Sequence, residues 1–314
     1  MVLEANYLPL TADDVLLARE TLRGVVYHTP IVPSEPLSAL TGYRVFLKLE
    51  NTQKTGAFKL RGAYHTIASL THAERQRGLI AASSGNHAQG VAYSARAFGI
   101  ADKTKIYMPA STPQTKIDNT RQYGVRVELV QGNYDACSTL AHAEAETTGA
   151  TYIEPYNDWR IMAGQGTVGL EIADDLPDVD AVLCPVGGGG LIAGIALALH
   201  ARLPHARVIG VQGQYAQPDG YTIADGIRVS HPGDKPMQVI RQHVDQLLRM
   251  DEAHISEAVV YLAQRAKVLV EGAGAVGVAA LLSQAVTLAP QSRVLVVLSG
   301  GNIDLLRLAA LIQT

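Results

Sequence analysis

One lysine, Lys59, stands in KTGAFKLRGAY (54–64), where a strand-like run hands over to helical sequence. Gly56 and Phe58 precede it, and Arg61 and Gly62 follow, so its sequence neighbours include aromatic and apolar residues and no carboxylate. An ε-amine in a dehydrated apolar cleft has its pKa lowered and becomes a nucleophile towards aldehydes. A second feature, PVGGGGLIAG (185–194), sets four glycines between a strand end and a helix start. Such a turn aims backbone N–H groups inward, and the helix dipole adds to them, which makes a cradle for a phosphate. In ASSGNHAQG (82–90), Ser83 or Ser84 is an N-cap candidate, and the free N–H groups of the helix start suit a carboxylate. Ser299, in LSGGN (298–302), brings a hydroxyl to a fourth strand end.

The elements that must position these groups follow an alternating rhythm. Strands are predicted at 45–50, 78–83, 105–110, 126–131, 151–155, 181–186, 207–212 and 293–299, with helix-length sequence such as 87–99 and 191–203 between most of them. This is the pattern of βα units around parallel sheets, expected here as α/β architecture in two lobes with a cleft between them. An eightfold barrel would alternate too, but the irregular stretch from about 213 to 252 interrupts it. In open sheets, ligands sit beyond the carboxyl ends of the strands, where all four features fall.

Composition excludes several other classes. The 314 residues are 47% hydrophobic with a net charge of −3 and no basic block, so a large core is affordable and neither nucleic acid nor an anionic membrane is favoured as partner. Cys137 and Cys184 form no CxxC or Cys/His cluster, so both are expected as reduced, buried thiols. The N-terminal MVLEANYLPLTADDVLLARE is acidic where a secretion signal is basic, and the expected location is cytoplasmic. The glycine turn has no GxxxxGK[ST]. Gly188, Gly190 and Ala193 meet a loose dinucleotide pattern, but Gln212 ends the next strand where that pattern wants an acid. A smaller phosphate ester is preferred. An amine, a phosphate cradle and a carboxylate pocket together are what a pyridoxal phosphate enzyme acting on an amino acid needs.

The chain resembles the fold type II (β-family, tryptophan synthase β-like) pyridoxal phosphate enzymes, specifically the threonine/serine dehydratase and serine racemase group. The resemblance is carried by KLENTQKTGAFKLRGA (48–63), SSGNHAQGVA (83–92), AGQGTVGLEI (163–172), PVGGGGLIAGIA (185–196), TIADGI (222–227), VEGAGAVGVAAL (270–281) and LSGGNIDL (298–305), in family order. It implies that Lys59 forms the Schiff base with pyridoxal 5'-phosphate and later takes the Cα proton. Phe58 is implied to pack on the cofactor ring, Gly187, Gly188, Gly189 and Gly190 to hold its phosphate, Asn86 to bond its hydroxyl, and Ser299 to face its ring nitrogen. Ser83, Ser84, Asn86 and His87 correspond to the loop that closes over the substrate carboxylate. A hydroxyl at Ser299 makes the ring a weaker electron sink than an aspartate would, which favours β-elimination.

Further expectations follow from the same resemblance. Residues 1–68 with 152–314 would form the large cofactor-binding domain, and 69–151 a small mobile one. The chain would act as a homodimeric ammonia-lyase on a β-hydroxy amino acid such as threonine, serine or 3-hydroxyaspartate, with amino-acid racemase as the alternative. Ser84, serine as in serine racemase, either passes a proton opposite Lys59 or only caps the helix. Gln212, in GVQGQYAQ, stands where metal-binding relatives carry an acid, and a neutral amide is a poorer ligand for a hard cation, so the usual Mg or Ca site is expected to be weak or missing. Trp159 is expected to reshape the substrate pocket, whereas Arg160 reads as a solvated arginine at a helix start. Feedback by isoleucine is not expected, since the sequence after LSGGN is too short for the C-terminal regulatory domain of biosynthetic threonine dehydratases.

Overall fold

The computed structural model describes residues 10–214, 222–229 and 231–313. Residues 1–9 of the N-terminal segment and the end of GVQGQYAQ lie outside these residues. Ten strands are present: β1 (Ile31–Pro33), β2 (Arg44–Lys48), β3 (Leu79–Ala82), β4 (Thr104–Pro109), β5 (Arg126–Val130), β6 (Thr151–Tyr152), β7 (Ala181–Pro185), β8 (Arg207–Gly213), β9 (Gln246–Met250) and β10 (Arg293–Val297). They form a six-stranded sheet in the order β1-β2-β10-β7-β8-β9 and a four-stranded sheet in the order β5-β4-β3-β6. Every pairing is parallel except β1 with β2.

Both sheets are covered on both faces, and this explains their continuous apolar runs. In β7, Ala181 and Leu183 join one core while Val182 and Cys184 join the opposite one; in β10, Val294 and Val296 alternate likewise with Leu295 and Val297. In the smaller sheet, Leu79, Ala81, Ile106 and Met108 face one core, and Ile80, Ala82 and Tyr107 face the other. The period of two assigns each side chain its layer. Cys137 and Cys184 are free and buried in these layers.

Two strands escape the sequence reading, β1 and β9, and both are edges of the large sheet. Pro33 within β1 speaks against a strand, and it is tolerated because an edge strand leaves one side unpaired. Among the described residues of 213–252 are the helix Asp234–His243 and then β9, parallel to β8, elements the sequence does not announce. Conversely, TYIEP (151–155) is paired only over Thr151–Tyr152. The Ile153 N–H still donates to the Ile80 carbonyl of β3 at 2.8 Å, and the Ile153 and Pro155 carbonyls are offered to the cleft, with consequences below.

The motif AGQGTVGLEI serves packing. The helix Trp159–Asp175 lies between the helices Lys59–Ser69 and Gly190–Arg202. A Cβ on Gly164 would fall 2.7 Å from the Arg61 carbonyl oxygen, and one on Gly194 would fall 2.3 Å from the Met162 carbonyl oxygen. These glycines let backbones touch, so the helix bearing Lys59 and the helix after the glycine turn share one rigid partner. Gly194→Ala is expected to destabilise the fold by about 2 kcal/mol or more through overpacking, read as a lower midpoint in denaturant unfolding.

Candidate active site

The four strand-end features converge on one cavity of about 340 Å³ between the sheets. Phe58, Lys59, Ser83, Ser84, Asn86, His87, Gly187–Gly190 and Ser299 all line it. β2, β7 and β10 are neighbours in the large sheet, so the glycine turn after β7 and Ser299 after β10 emerge side by side. Lys59 opens the helix Lys59–Ser69, and Phe58 is tied to the β10 exit by its N–H donating to the Ser299 carbonyl at 3.1 Å. An isolated bridge from Ala57 to Gly300 reinforces that tie.

Burial lowers the Lys59 amine to about 8, with Glu271 opposing the shift. Its Nζ donates to the Pro155 carbonyl at 2.7 Å, and it lies 5.4 Å from the Phe58 ring centre. The absence of carboxylate partners inferred from neighbouring sequence is therefore incomplete: Glu271, more than 200 residues along, is the acid that acts on Lys59. Burial raises the Glu271 carboxyl, Asp225 raises it further, and Lys116, Asn86 and Lys59 pull back, leaving it at about 7. Asn86 donates its amide to Glu271 Oε1 at 2.6 Å and accepts from Asn302 Nδ2 at 2.8 Å. Asn302 also donates to the Thr55 carbonyl, which joins the segment before Lys59 to the SSGNH loop.

Glu271 and Asn302 were not singled out in the sequence. Their signals were present, an acid capping the helix Gly272–Leu282 and an asparagine just past a strand end, but nothing local tells that they meet Asn86.

The SSGNH loop differs from its expected capping. The helix Asn86–Ala97 begins after Gly85, and no side chain caps it. Ser83 Oγ instead accepts from the Gly85 N–H at 3.2 Å. Ser84 lines the cavity, so its role as helix cap is not what the geometry supports. A helix start with no side-chain cap keeps its first N–H groups available to a carboxylate. His87 is held at about 3 by burial and by the nearby Lys59, against a bond between Nε2 and the Ile153 carbonyl at 2.9 Å. The ring is thus neutral, with Nε2–H donating. The Ile153 and Pro155 carbonyls, just past the end of the short β6, hold His87 and Lys59 from one short segment.

The glycine turn forms a cradle that side chains would fill. A Cβ on Gly187 would meet Ile227 at 2.8 Å, and one on Gly188 would collide with the Tyr156 ring. Gly189 has φ +88°, a left-handed conformation that favours glycine, and it caps the helix Gly190–Arg202. These N–H groups, the lowered amine and the cavity volume fit pyridoxal phosphate: an ester end on the turn and an aldehyde end at Lys59.

A buried ionic group fixes the helix that carries Lys59. Arg61 donates to Glu50 at 2.9 and 2.7 Å and to Glu171 at 2.6 and 3.0 Å, while Lys48 donates to Glu171 at 2.6 Å. Arg61, Glu50 and Lys48 are each 0% exposed. Burial pushes Glu50 up, but Arg61, Lys48 and the Thr29 hydroxyl together outweigh it and hold the carboxyl below its usual range. Two cations thus meet two anions, and no net charge from this group is imposed on Lys59.

Trp159 and Arg160 do not line the cavity. Trp159 is buried in the core beside Lys235, so the expected reshaping of the pocket is not found. Arg160 pairs with Asp158 at 2.6 Å at the helix start. Gln212 is buried at the end of β8, and among the described residues no group of three or more His, Cys, Asp or Glu is arranged to hold a metal.

The fold and the cavity define a class. The chain matches the family of pyridoxal-phosphate dependent enzymes over residues 22–300, and it belongs to that family. It is 45% identical over 309 residues to the L-threonine ammonia-lyase of Thermotoga maritima, covering 94% of this chain and 76% of that one. It is 41% identical over 317 residues to the catabolic L-threonine dehydratase of Escherichia coli (strain K12), covering 96% of each. The structure of maize serine racemase superposes with a TM-score of 0.91 at 33% identity, covering 96% of this chain and 97% of that one. The fold type II assignment and its two parallel lobes are therefore correct.

The raised Glu271 carboxyl has a thermodynamic consequence. Between its ordinary value of 4.5 and about 7, the folded protein binds more protons than the unfolded one, so this group's contribution to stability falls as pH rises through that window. In cofactor-free protein, Glu271→Gln is expected to flatten this fall, measured as denaturant stability at pH 4.5 and pH 7.

Proposed function

We infer that this protein is a pyridoxal phosphate-dependent ammonia-lyase that removes water and then ammonia from a β-hydroxy amino acid, with L-threonine as the first candidate. The observation that carries the reading is the convergence of a lowered amine, an uncapped helix start and a glycine cradle on one cavity. The named relatives act in the same class and fix the order in which substrates are tried.

When bound, pyridoxal phosphate supplies an electron-withdrawing ring that makes the substrate Cα–H acidic. Lys59 holds it by its amine and then serves as base. With its pKa near 8, a useful fraction is neutral at physiological pH, and a neutral amine accepts the Cα proton. The N–H groups of the Ser83–His87 loop bind the substrate carboxylate and orient the Cα–H bond towards Lys59. Asn86, gripped by Glu271 and Asn302, fixes that loop against the large sheet. His87 stays neutral and adds no cation that would suppress the amine further. Ser299 would face the coenzyme ring with a hydroxyl where an aspartate would bring negative charge, so the ring would be a weaker electron sink, and departure of the β-hydroxyl, which takes up a proton and leaves as water, would be favoured over reprotonation at Cα. The enamine released takes up water and yields the 2-oxo acid and ammonia.

A second reading, amino-acid racemisation, is favoured by Ser84. Its hydroxyl lines the cavity without capping the helix, and this reading would have it pass a proton to the face of Cα opposite Lys59. The enzyme is also proposed to work in the cytoplasm as a homodimer, with residues 69–151 moving as a unit over the cleft. No helix among the described residues is long and apolar enough to cross a membrane.

Incubation with L-threonine is expected to release 2-oxobutanoate. Lys59→Ala should reduce that release by about 10³-fold or more and abolish the visible absorbance of the bound coenzyme. Accumulation of the D-enantiomer as the main product, lost in Ser84→Ala, would replace the lyase reading with the racemase one.

A further inference from the structure

Lys116 sits at the carboxylate loop, and the residue that engages it belongs to the opposite side of the cleft. It lies on the helix Gln114–Arg121, beside the four-stranded sheet, and its Nζ is 2.8 Å from Asp225 Oδ2. Asp225 opens a short turn, Asp225–Ile227, that packs on the helix Gly272–Leu282 of the large sheet. Both side chains line the cavity. A methyl placed on Gly85 would lie 3.9 Å from the Lys116 ammonium, so this charge stands next to the helix start that the reading above gives to the substrate carboxylate.

Resting on that reading, we propose that Lys116 is a specificity-determining residue that exchanges partners: it holds Asp225 before substrate arrives and the substrate carboxylate afterwards. Three features support an exchange over a fixed tie. The pair spans the cleft, and its side chains are 17% and 31% exposed, so neither charge is locked away from water. The competing acid is the same chemical group as the incoming one, so Lys116 trades one carboxylate for another. Asp225 also keeps a cation after the trade, because Arg307 Nη1 lies 3.7 Å from the same oxygen while Nη2 is anchored on the Thr222 carbonyl at 2.8 Å.

Exchange gives the two sides of the pair opposite effects on anion binding. Removing Lys116 removes a contact made with substrate, and removing the charge of Asp225 removes a competitor for Lys116. The gain from the second change must depend on the presence of Lys116.

The test uses the holoenzyme with propionate, a carboxylate that has no amine to react. Binding is read both as competitive inhibition against L-threonine and as a propionate-induced thermal shift, which needs no turnover. Lys116→Met should weaken propionate about tenfold, Lys116→Arg should recover most of the loss, and Asp225→Asn should tighten it about threefold. In the Lys116→Met background, Asp225→Asn should give no gain. Weaker or unchanged binding in Asp225→Asn overturns the exchange. So does an equal gain in both backgrounds, which would mark a general field effect. Failure of the wild-type enzyme to release any keto acid would count against the lyase reading instead, while the thermal shifts still decide the exchange.

Discussion

Everything at this site depends on keeping one ammonium unstable. Lys59 is buried at a helix start, where its amine has lost the solvation that keeps a lysine charged, and only Glu271 opposes the shift. That balance would be upset by any strong fixed charge nearby, yet the surrounding chain carries several. The structure neutralises them locally. Arg61, two residues from Lys59, is matched by Glu50 and Glu171, Lys48 shares Glu171, and Lys116 is matched by Asp225. Breaking one of the buried Arg61 pairs strands a charge at a cost of about 3–5 kcal/mol, so the Arg61, Glu50, Glu171 and Lys48 group is held together tightly and stays electrically quiet, while the more exposed Lys116–Asp225 pair is free to open.

The same elements give the site its rigidity. The helix Trp159–Asp175 touches its two neighbours through glycine contacts, and Glu171 on that helix receives Arg61 and Lys48. The base and the phosphate cradle are therefore placed by a common partner rather than by separate loops. The SSGNH loop belongs to the other sheet and is joined to the large one through Asn86, Glu271 and Asn302 and across the cleft by Lys116 and Asp225. Few polar links between the lobes suit an opening that must admit and release small molecules.

Much of this was legible in sequence because it is written locally. Strand-to-helix junctions, a tetraglycine turn and a lone lysine are short-range patterns, and each lines the cavity. The inner strands were readable because burial on both faces makes continuous apolar runs, whereas β1 is only three residues long and both β1 and β9 are partly exposed, which weakens their signal. Glu271, Asn302 and the Lys116–Asp225 pair were not legible as a site. Their partners lie far away in sequence, 185 residues in the case of Asn86 and Glu271, and only the fold brings them together. Ser84 shows the converse: its sequence suits a cap, and the loop geometry gives that place to Gly85.

The most direct measurement is the titration of the Lys59 amine in cofactor-free protein, followed by NMR of isotopically labelled lysine with Lys59→Ala to identify the resonance. Desolvation in a charge-balanced cleft predicts a midpoint of about 8. A midpoint at the ordinary 10.5 would show a solvated amine and contradict the account.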